Sequence, residues 1–157
     1  MNYTFFWGGI FSQWHKSKFE VDGITFNCAE QYMMYQKALL FGDEEVAKKI
    51  LTKSNPRDQK DLGRKVKGFV EETWNKHAKE IVYKGNYAKF TQNPELLKGL
   101  KATGQTLLVE ASPHDDIWGI GLDEKTARKT PEKDWKGTNW LGEVLTNLRF
   151  NLIEEGK

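Results

Sequence analysis

The chain has a single cysteine, Cys28, so no internal disulfide can form, and a reducing, cytoplasmic setting is expected. It has only three histidines, His15, His77 and His114, which share no metal-ligand spacing with one another or with Cys28. No metal and no cofactor are therefore expected. No window approaches the length of a membrane span, and the opening MNYTFFWGG lacks the basic start and apolar run of a signal peptide, so no membrane association is expected. A charge excess is missing too: 24 Lys and Arg face 22 Asp and Glu, a net charge of +2. That balance argues against a protein that coats nucleic acid, and leaves room for a small anionic ligand or one flipped-out nucleotide. Repeats and low-complexity segments are absent. Gly119-Ile120-Gly121 is too short for a dinucleotide fingerprint and opens no βαβ unit, which argues against a Rossmann site.

What the chain does have is aromatic surface. Aromatics make up 13% and include six Trp, more than a core of this size requires, so some indole is expected to line a pocket. The 157 residues are the length of one domain, 1–157, able to bury a core without disulfide or metal. Tyr3 to Trp7 reads as a short strand. Lys18 to Val21, Asp22-Gly23 and Ile24 to Phe26 read as a hairpin with a type I′ turn. Helices are expected over Asp43 to Thr52, Arg57 to Val66, Glu71 to Thr91 and Glu95 to Ala102, with Gly85 weakening the middle of the longest. Thr106 to Ala111 is a strand, Leu122 to Trp135 a charged, loop-like insert, and Asn139 starts the last helix. The sum is an α+β domain, helix-rich with a small antiparallel sheet.

The stretch around which the rest is organised is Asn27 to Asp43, NCAEQYMMYQKALLFGD. Asn27 is a good N-cap, with Glu30 three residues on as in a capping box, and Gly42-Asp43 supplies a stop. Glu30, Met33, Met34, Lys37, Ala38 and Phe41 share one stripe, while Tyr32, Tyr35, Leu39 and Leu40 cover most of the other side. Such a helix is buried nearly all round. Its first stripe nonetheless carries a carboxylate and an ammonium about 10 Å apart along the axis, too far for an i, i+4 pair. Buried charges need distant partners or a polar ligand. The plain alternatives are that Glu30 completes the cap and that Lys37 runs along the stripe to water. Cys28 at a helix N-terminus is either a nucleophile or a small buried hydrophobe. Asp115 and Asp116 either cap or, joined to Glu110 and Glu30, do acid–base work. The glycines after Trp118 make a tight turn or admit a phosphate. Arg64, Lys84 and Lys89 are ordinary helix-surface residues by default, any of which could hold a phosphate.

FFWGGIFSQW, the Asp22-Gly23 hairpin, CAEQYMMYQKALLF, LGRKV, YAKFTQN, LLVEASPHDDIWGIGL and GTNWLGEVLTNLR together resemble the NADAR, or YbiA-like, family, in order from about Phe5 to Arg149. The stretch Asp123 to Lys136 is the main irregularity and is treated as a variable loop. The resemblance implies an N-glycosidase acting on ribose phosphate or ADP-ribose joined through C1 to nitrogen. Two substrate branches follow, phosphorylated intermediates of riboflavin synthesis and ADP-ribose on guanine, and the WGGIFSQW and EQYMMYQKALLF strings resemble the second more closely. Its implied partners are an ADP-ribosyl or ribose-phosphate substrate and ADP-ribosylated DNA or RNA; no oligomeric state is implied.

The family's carboxylate matches Glu30, its lysine seven residues later Lys37, and its D-x-x-W-G-x-G element Asp115, Trp118, Gly119 and Gly121. Asn139 and Gly142 match its N-x-L-G. The opening string adds Trp7, Gly8, Gly9, Ser12 and Trp14 as substrate-binding candidates. An N-glycosidic bond breaks when the leaving base is protonated while positive charge develops at C1 and the ring oxygen. In that chemistry Glu30, in an apolar groove that raises a carboxyl pKa, transfers the proton. Lys37 either holds a hydroxyl or phosphate as an ammonium or, neutral, attacks C1 to form a Schiff base. Trp118, Trp7 and Trp14 are candidates to stack on the base, and Asp115 would orient ribose hydroxyls or a water. A non-catalytic ADP-ribose reader, using the same aromatics and glycines, is the alternative of another class.

Overall fold

A computed structural model describes residues 2–157. In chain order the elements are β1 (Tyr3–Phe6), a 3-10 turn (Gly9–Phe11), β2 (Phe19–Val21), β3 (Ile24–Phe26), α1 (Ala29–Leu40), α2 (Glu44–Leu51), α3 (Pro56–Gly63), α4 (Glu71–Thr91) and α5 (Pro94–Lys101). They continue with β4 (Leu107–Glu110), α6 (Glu124–Arg128), a second 3-10 turn (Glu132–Asp134) and α7 (Trp140–Glu154). This is the α+β class expected. No helix of the described residues is long and apolar enough to cross a membrane. The chain divides into two compact units, Gln13–Pro94 and Met1–Ser12 with Glu95–Lys157.

In the unit Gln13–Pro94 the hairpin forms as the sequence dictates. Val21 pairs with Ile24 across Asp22 (φ 51) and Gly23 (φ 81), the left-handed pair of a type I′ turn. Phe19 and Phe26 then stack with ring centroids 5.7 Å apart and join Tyr32 of α1 and Ala88 of α4 in one buried cluster. Asp43 caps α2 by accepting from the Val46 amide at 3.1 Å, and Asn55 caps α3, whose first residue is Pro56. α3 ends at Gly63 rather than at Val66, and a β-carbon at Gly63 would sit 2.0 Å from the Met34 sulfur, so α3 and α1 touch there. Gly85 serves the same end in α4, where a β-carbon would stand 2.6 Å from the Tyr32 ring. The residue that costs helix propensity is the one that lets α4 lie against α1.

In the other unit β1 pairs with β4, Tyr3 opposite Leu107 through Phe6 opposite Glu110. This ladder is parallel, so only the hairpin conforms to the antiparallel sheet expected. Parallel partners cannot be joined by a tight turn, and the separation of these two strands in sequence hid the pairing. The insert Leu122 to Trp135 is not loop throughout. Asp123 accepts from the Thr126 amide at 2.8 Å and starts α6, and Trp135 packs on Tyr3 and Phe5 at 5.1 and 6.0 Å between ring centroids.

The last helix is held to β4 by Asn139 and Gly142. Asn139 has left-handed backbone (φ 55), its Oδ1 accepts from the Glu110 amide and its Nδ2 donates to the Leu108 carbonyl, both at 3.0 Å. A β-carbon at Gly142 would lie 2.1 Å from that same Leu108 carbonyl oxygen. Gly142→Ala is therefore expected to destabilise the protein by about 1–3 kcal/mol, as overpacking against backbone does. Thermal unfolding of the variant checks this, and an unchanged or raised midpoint would contradict the close approach.

Candidate active site

The N-terminal turn of α1 does not form the capping box that its sequence suggests. Cys28, in extended conformation, holds the N-cap position without a side-chain capping hydrogen bond, and Asn27 lies one residue outside. The residue that reaches back is Gln31, whose Oε1 accepts from the Asn27 amide at 2.8 Å while its Nε2 donates to the carbonyls of Ile50 and Lys53. Glu30 is thereby released from capping. Its own amide donates to the Gln13 carbonyl at 2.9 Å, which satisfies a helix-end donor and docks residue 13 against the turn. The Glu30 side chain is 5% exposed, and its Oε1 accepts from the Trp14 indole N–H at 3.2 Å. Trp14 itself is 41% exposed beside this buried carboxylate. The Lys60 ammonium stands 6.0 Å from the centre of that ring.

Two turns along, Lys37 is partly buried with its Nζ 4.6 Å from the Phe69 ring centroid and 5.7 Å from that of Trp74. Burial lowers its pKa from the usual lysine value; the Glu30 charge opposes that shift and Arg64 adds to it. Both site charges of α1 thus act within one electrostatic neighbourhood and neither is splayed into solvent. Arg64, on the surface by default, is the cation that shares this neighbourhood. An open cleft of about 850 Å³ between the hairpin turn, α1 and α4 is lined by Asp22, Tyr32, Leu39, Ile81 and Tyr87 among others; neither Glu30 nor Lys37 lines it.

The Cys28 thiol is buried and donates to Gln59 Oε1 at 3.1 Å. Burial pushes its pKa up to about 11, against any lowering by the helix end, so the thiol is not a nucleophile at neutral pH. Lys89, expected on the helix surface by default, is instead buried within α4. It is 0% exposed, and burial lowers its pKa to about 7 despite an opposing pull from Cys28. Its charge also helps lower the pKa of His15, after burial, the larger cause. Close by in α4, Asn86 donates to Gln13 Oε1 at 2.8 Å, so α4 and the first turn of α1 hold the same residue from two sides. A signal for Lys89 was present. Ala78, Val82, Gly85 and Lys89 follow the i, i+4, i+7, i+11 spacing of a single buried stripe.

The remaining candidates lie in the other unit. Asp115 Oδ1 accepts from the amides of Ile117 and Trp118 at 2.9 and 2.8 Å, which commits that oxygen to the turn. The amides of Ile120 and Gly121 donate to the carbonyls of Glu110 and Asp115, and a β-carbon at Gly119 would meet both of those oxygens at 2.9 Å. The two glycines therefore make a tight turn. Trp118 meets Trp140 edge to face at 5.4 Å. Trp7 is 63% exposed, 6.1 Å from the His114 ring, and followed by Gly8 (φ 98) and Gly9 (φ 71), whose hypothetical β-carbons would meet nothing within 4 Å. Ser12 closes the 3-10 turn by donating its amide to Gly9. Both polar atoms of the Asn139 side chain are engaged with β4, as described above.

A model described as the NADAR domain matches residues 5–153. The chain is 47% identical over 160 aligned residues to N-glycosidase R617 of Acanthamoeba polyphaga mimivirus, covering 94% of each chain. To N-glycosidase YbiA of Escherichia coli it is 32% identical, covering 94% of this chain and 83% of that one. The NMR structure of E. coli YbiA superposes with a TM-score of 0.81 at 30% identity, covering 99% of this chain and 87% of that one. The motifs, the α+β architecture and these likenesses coincide along nearly the whole sequence, and the chain belongs to the NADAR family.

Proposed function

We propose that this protein is an N-glycosidase that hydrolyses the C1–N bond of ADP-ribose attached to guanine, in a nucleotide or a nucleic acid. N-glycosidase chemistry is the activity named for its relatives in mimivirus and E. coli. The observation that carries the reading is Glu30: a buried carboxylate, freed from capping by Gln31, held by the indole of an exposed tryptophan. Such a pair offers an acid next to a face on which a base stacks, a contact worth about 1–3 kcal/mol per base. Glu30 donates its proton to the leaving base and takes one back from the water that ends at C1. Of the two jobs open to Lys37, its ring contacts favour the charged one, because an aromatic face stabilises an ammonium and not an amine. Lys37 and Arg64 then neutralise a diphosphate. Asp115, Trp118 and the residues from Trp7 to Ser12 enter as substrate-contacting groups on the family motif alone.

Incubation with ADP-ribosylated guanosine and, separately, with a ribosylaminopyrimidine phosphate tests the assignment. Release of free ADP-ribose from the first is expected. Turnover of the pyrimidine alone would move the protein to the riboflavin-intermediate branch, and tight binding of ADP-ribose with no turnover of either would make it a reader. Borohydride added during turnover separates the two jobs of Lys37: a sugar adduct on the α1 peptide would overturn the ammonium role.

A further inference from the structure

Most acidic residues of Gln13–Pro94 are accounted for by a helix end, a salt bridge or the candidate active site. Asp43 caps α2, and Glu44, Glu45, Asp58, Glu71 and Glu72 occupy first helical turns, where the helix dipole favours an acid. Asp61 pairs with Arg64 at 3.9 Å and Glu80 with Lys84 at 3.3 Å, and Glu30 accepts from Trp14. Glu20 and Asp22 remain. Asp22 suits its turn, but asparagine would suit it as well. Among the described residues neither has an ion pair within 4.0 Å, and both line the cleft of about 850 Å³ between the hairpin turn, α1 and α4. Glu80 lines it too, held by an exposed i, i+4 pair that a competing cation displaces at little cost.

Gln92 fixes how these acids are spaced. Its side chain accepts from the Glu20 amide and donates to the Glu20 carbonyl, both at 2.8 Å, which sets Glu20 at the level of residue 92 on α4. Glu80 lies three to four turns back, about 18 Å along the axis. Between them Ile81 and Tyr87 face the cleft from α4, and Tyr32 and Leu39 from α1. Tyr32 is 3% exposed, and its hydroxyl has no hydrogen-bond partner among the described residues. Burial, and after it the Asp22 charge, raise its pKa, so the hydroxyl stays protonated with that carboxylate in electrostatic reach. The Tyr83 and Tyr87 rings, 6.4 Å apart at their centroids, border the same space.

We infer that this cleft binds a linear polyamine, with one end at Glu20 and Asp22, the other at Glu80, and the methylene chain across the tyrosines between. Such a ligand alternates charge with apolar segments, as the cleft alternates carboxylates with aromatic and aliphatic surface. Carboxylates and ring faces both stabilise an ammonium, and methylenes gain from leaving water. The Tyr32 oxygen accepts an ammonium N–H, which gives the buried hydroxyl the partner that the protein does not supply. Three carboxylates face one lysine in this concavity, so it attracts cations although the unit as a whole carries 15 basic and 11 acidic residues. The inference does not rest on the glycosidase reading, because neither Glu30 nor Lys37 lines the cleft.

Titration of the isotope-labelled protein with spermidine at low salt, followed by NMR, tests this without turnover. Saturable shifts are expected at the amides of Glu20 to Asp22, Glu80 and Tyr87. E20Q/D22N, in which asparagine keeps the turn, is expected to bind about tenfold more weakly, the worth of two exposed charge contacts. Tyr32→Phe keeps the ring in its cluster and is expected to lose about threefold, one neutral hydrogen bond. E71Q/E72Q removes the same charge outside the cleft and is expected to bind like wild type. Hexaamminecobalt(III), equal in charge to spermidine but compact, is expected to bind more weakly. Absence of saturable binding, shifts confined to other residues, or undiminished binding by either cleft variant would each overturn the inference. So would an equal loss in E71Q/E72Q, or equal affinity for the cobalt complex, which would mark general counterion attraction.

Discussion

Glu30→Gln is expected to lower turnover of ADP-ribosylated guanosine by about 10²–10⁴-fold, the usual contribution of a positioned general acid. The substitution is nearly isosteric, and its amide oxygen can still accept from the Trp14 indole, so the geometry recorded at 3.2 Å should persist. Stability should change little, because the Asn27 amide is satisfied by Gln31 and not by Glu30. That separates the catalytic reading from the capping one, under which the variant would lose about 0.5–2 kcal/mol of stability and no chemistry. Turnover within a few fold of wild type would remove Glu30 from the mechanism.

Lys89→Met is expected to abolish most of the protein's rise in stability toward higher pH. The folded protein holds the Lys89 amine at a pKa of about 7, while in the unfolded chain it titrates near its ordinary 10.5. Between those values the unfolded state binds more protons, so folding is favoured increasingly as pH rises, by up to about 1.4 kcal/mol per pH unit. Below about 7 both states carry the charge and the full cost of burying an ammonium is present. The clean interval is pH 7 to 9. Above it the Cys28 thiol, raised from 9.0 to about 11, makes stability fall as pH rises. Lys37 is also lowered by burial and adds to the upward trend, so the difference between variant and wild type isolates Lys89. Denaturant unfolding at several pH values measures it; a wild-type profile flat from 7 to 9, or equal slopes in both proteins, would contradict the burial argument.

The reading of the fold succeeded where the determining contacts are local. The hairpin followed from Asp22-Gly23, because only residues tolerant of positive φ suit that turn, and the burial of α1 followed from an apolar surface that leaves no polar side. It failed where partners are distant. Tyr3 and Leu107 carry no mark of their pairing, and strand direction is set by the intervening chain. The capping error at α1 was one residue wide: Asn27 and Cys28 both precede the helix, Glu30 and Gln31 both begin it, and only the tertiary pull of Ile50 and Lys53 on Gln31 decides between them. That same contact leaves the buried Glu30 outside the cap, a residue for which spacing alone left the capping reading open and which family resemblance singled out. Lys89 was passed over because lysine is so often solvated, although its place on the α4 stripe was plain.

The attachment of α7 to β4 by Asn139 and Gly142 bears on how relatives of this protein are to be sorted. A descendant that had abandoned catalysis would still need that amide and that bare α-carbon to keep its last helix seated, and would go on displaying the N-x-L-G signature. Retention of those letters therefore reports an intact scaffold, whereas under the proposed function it is an acid at position 30 facing an indole at position 14 that would report a working one.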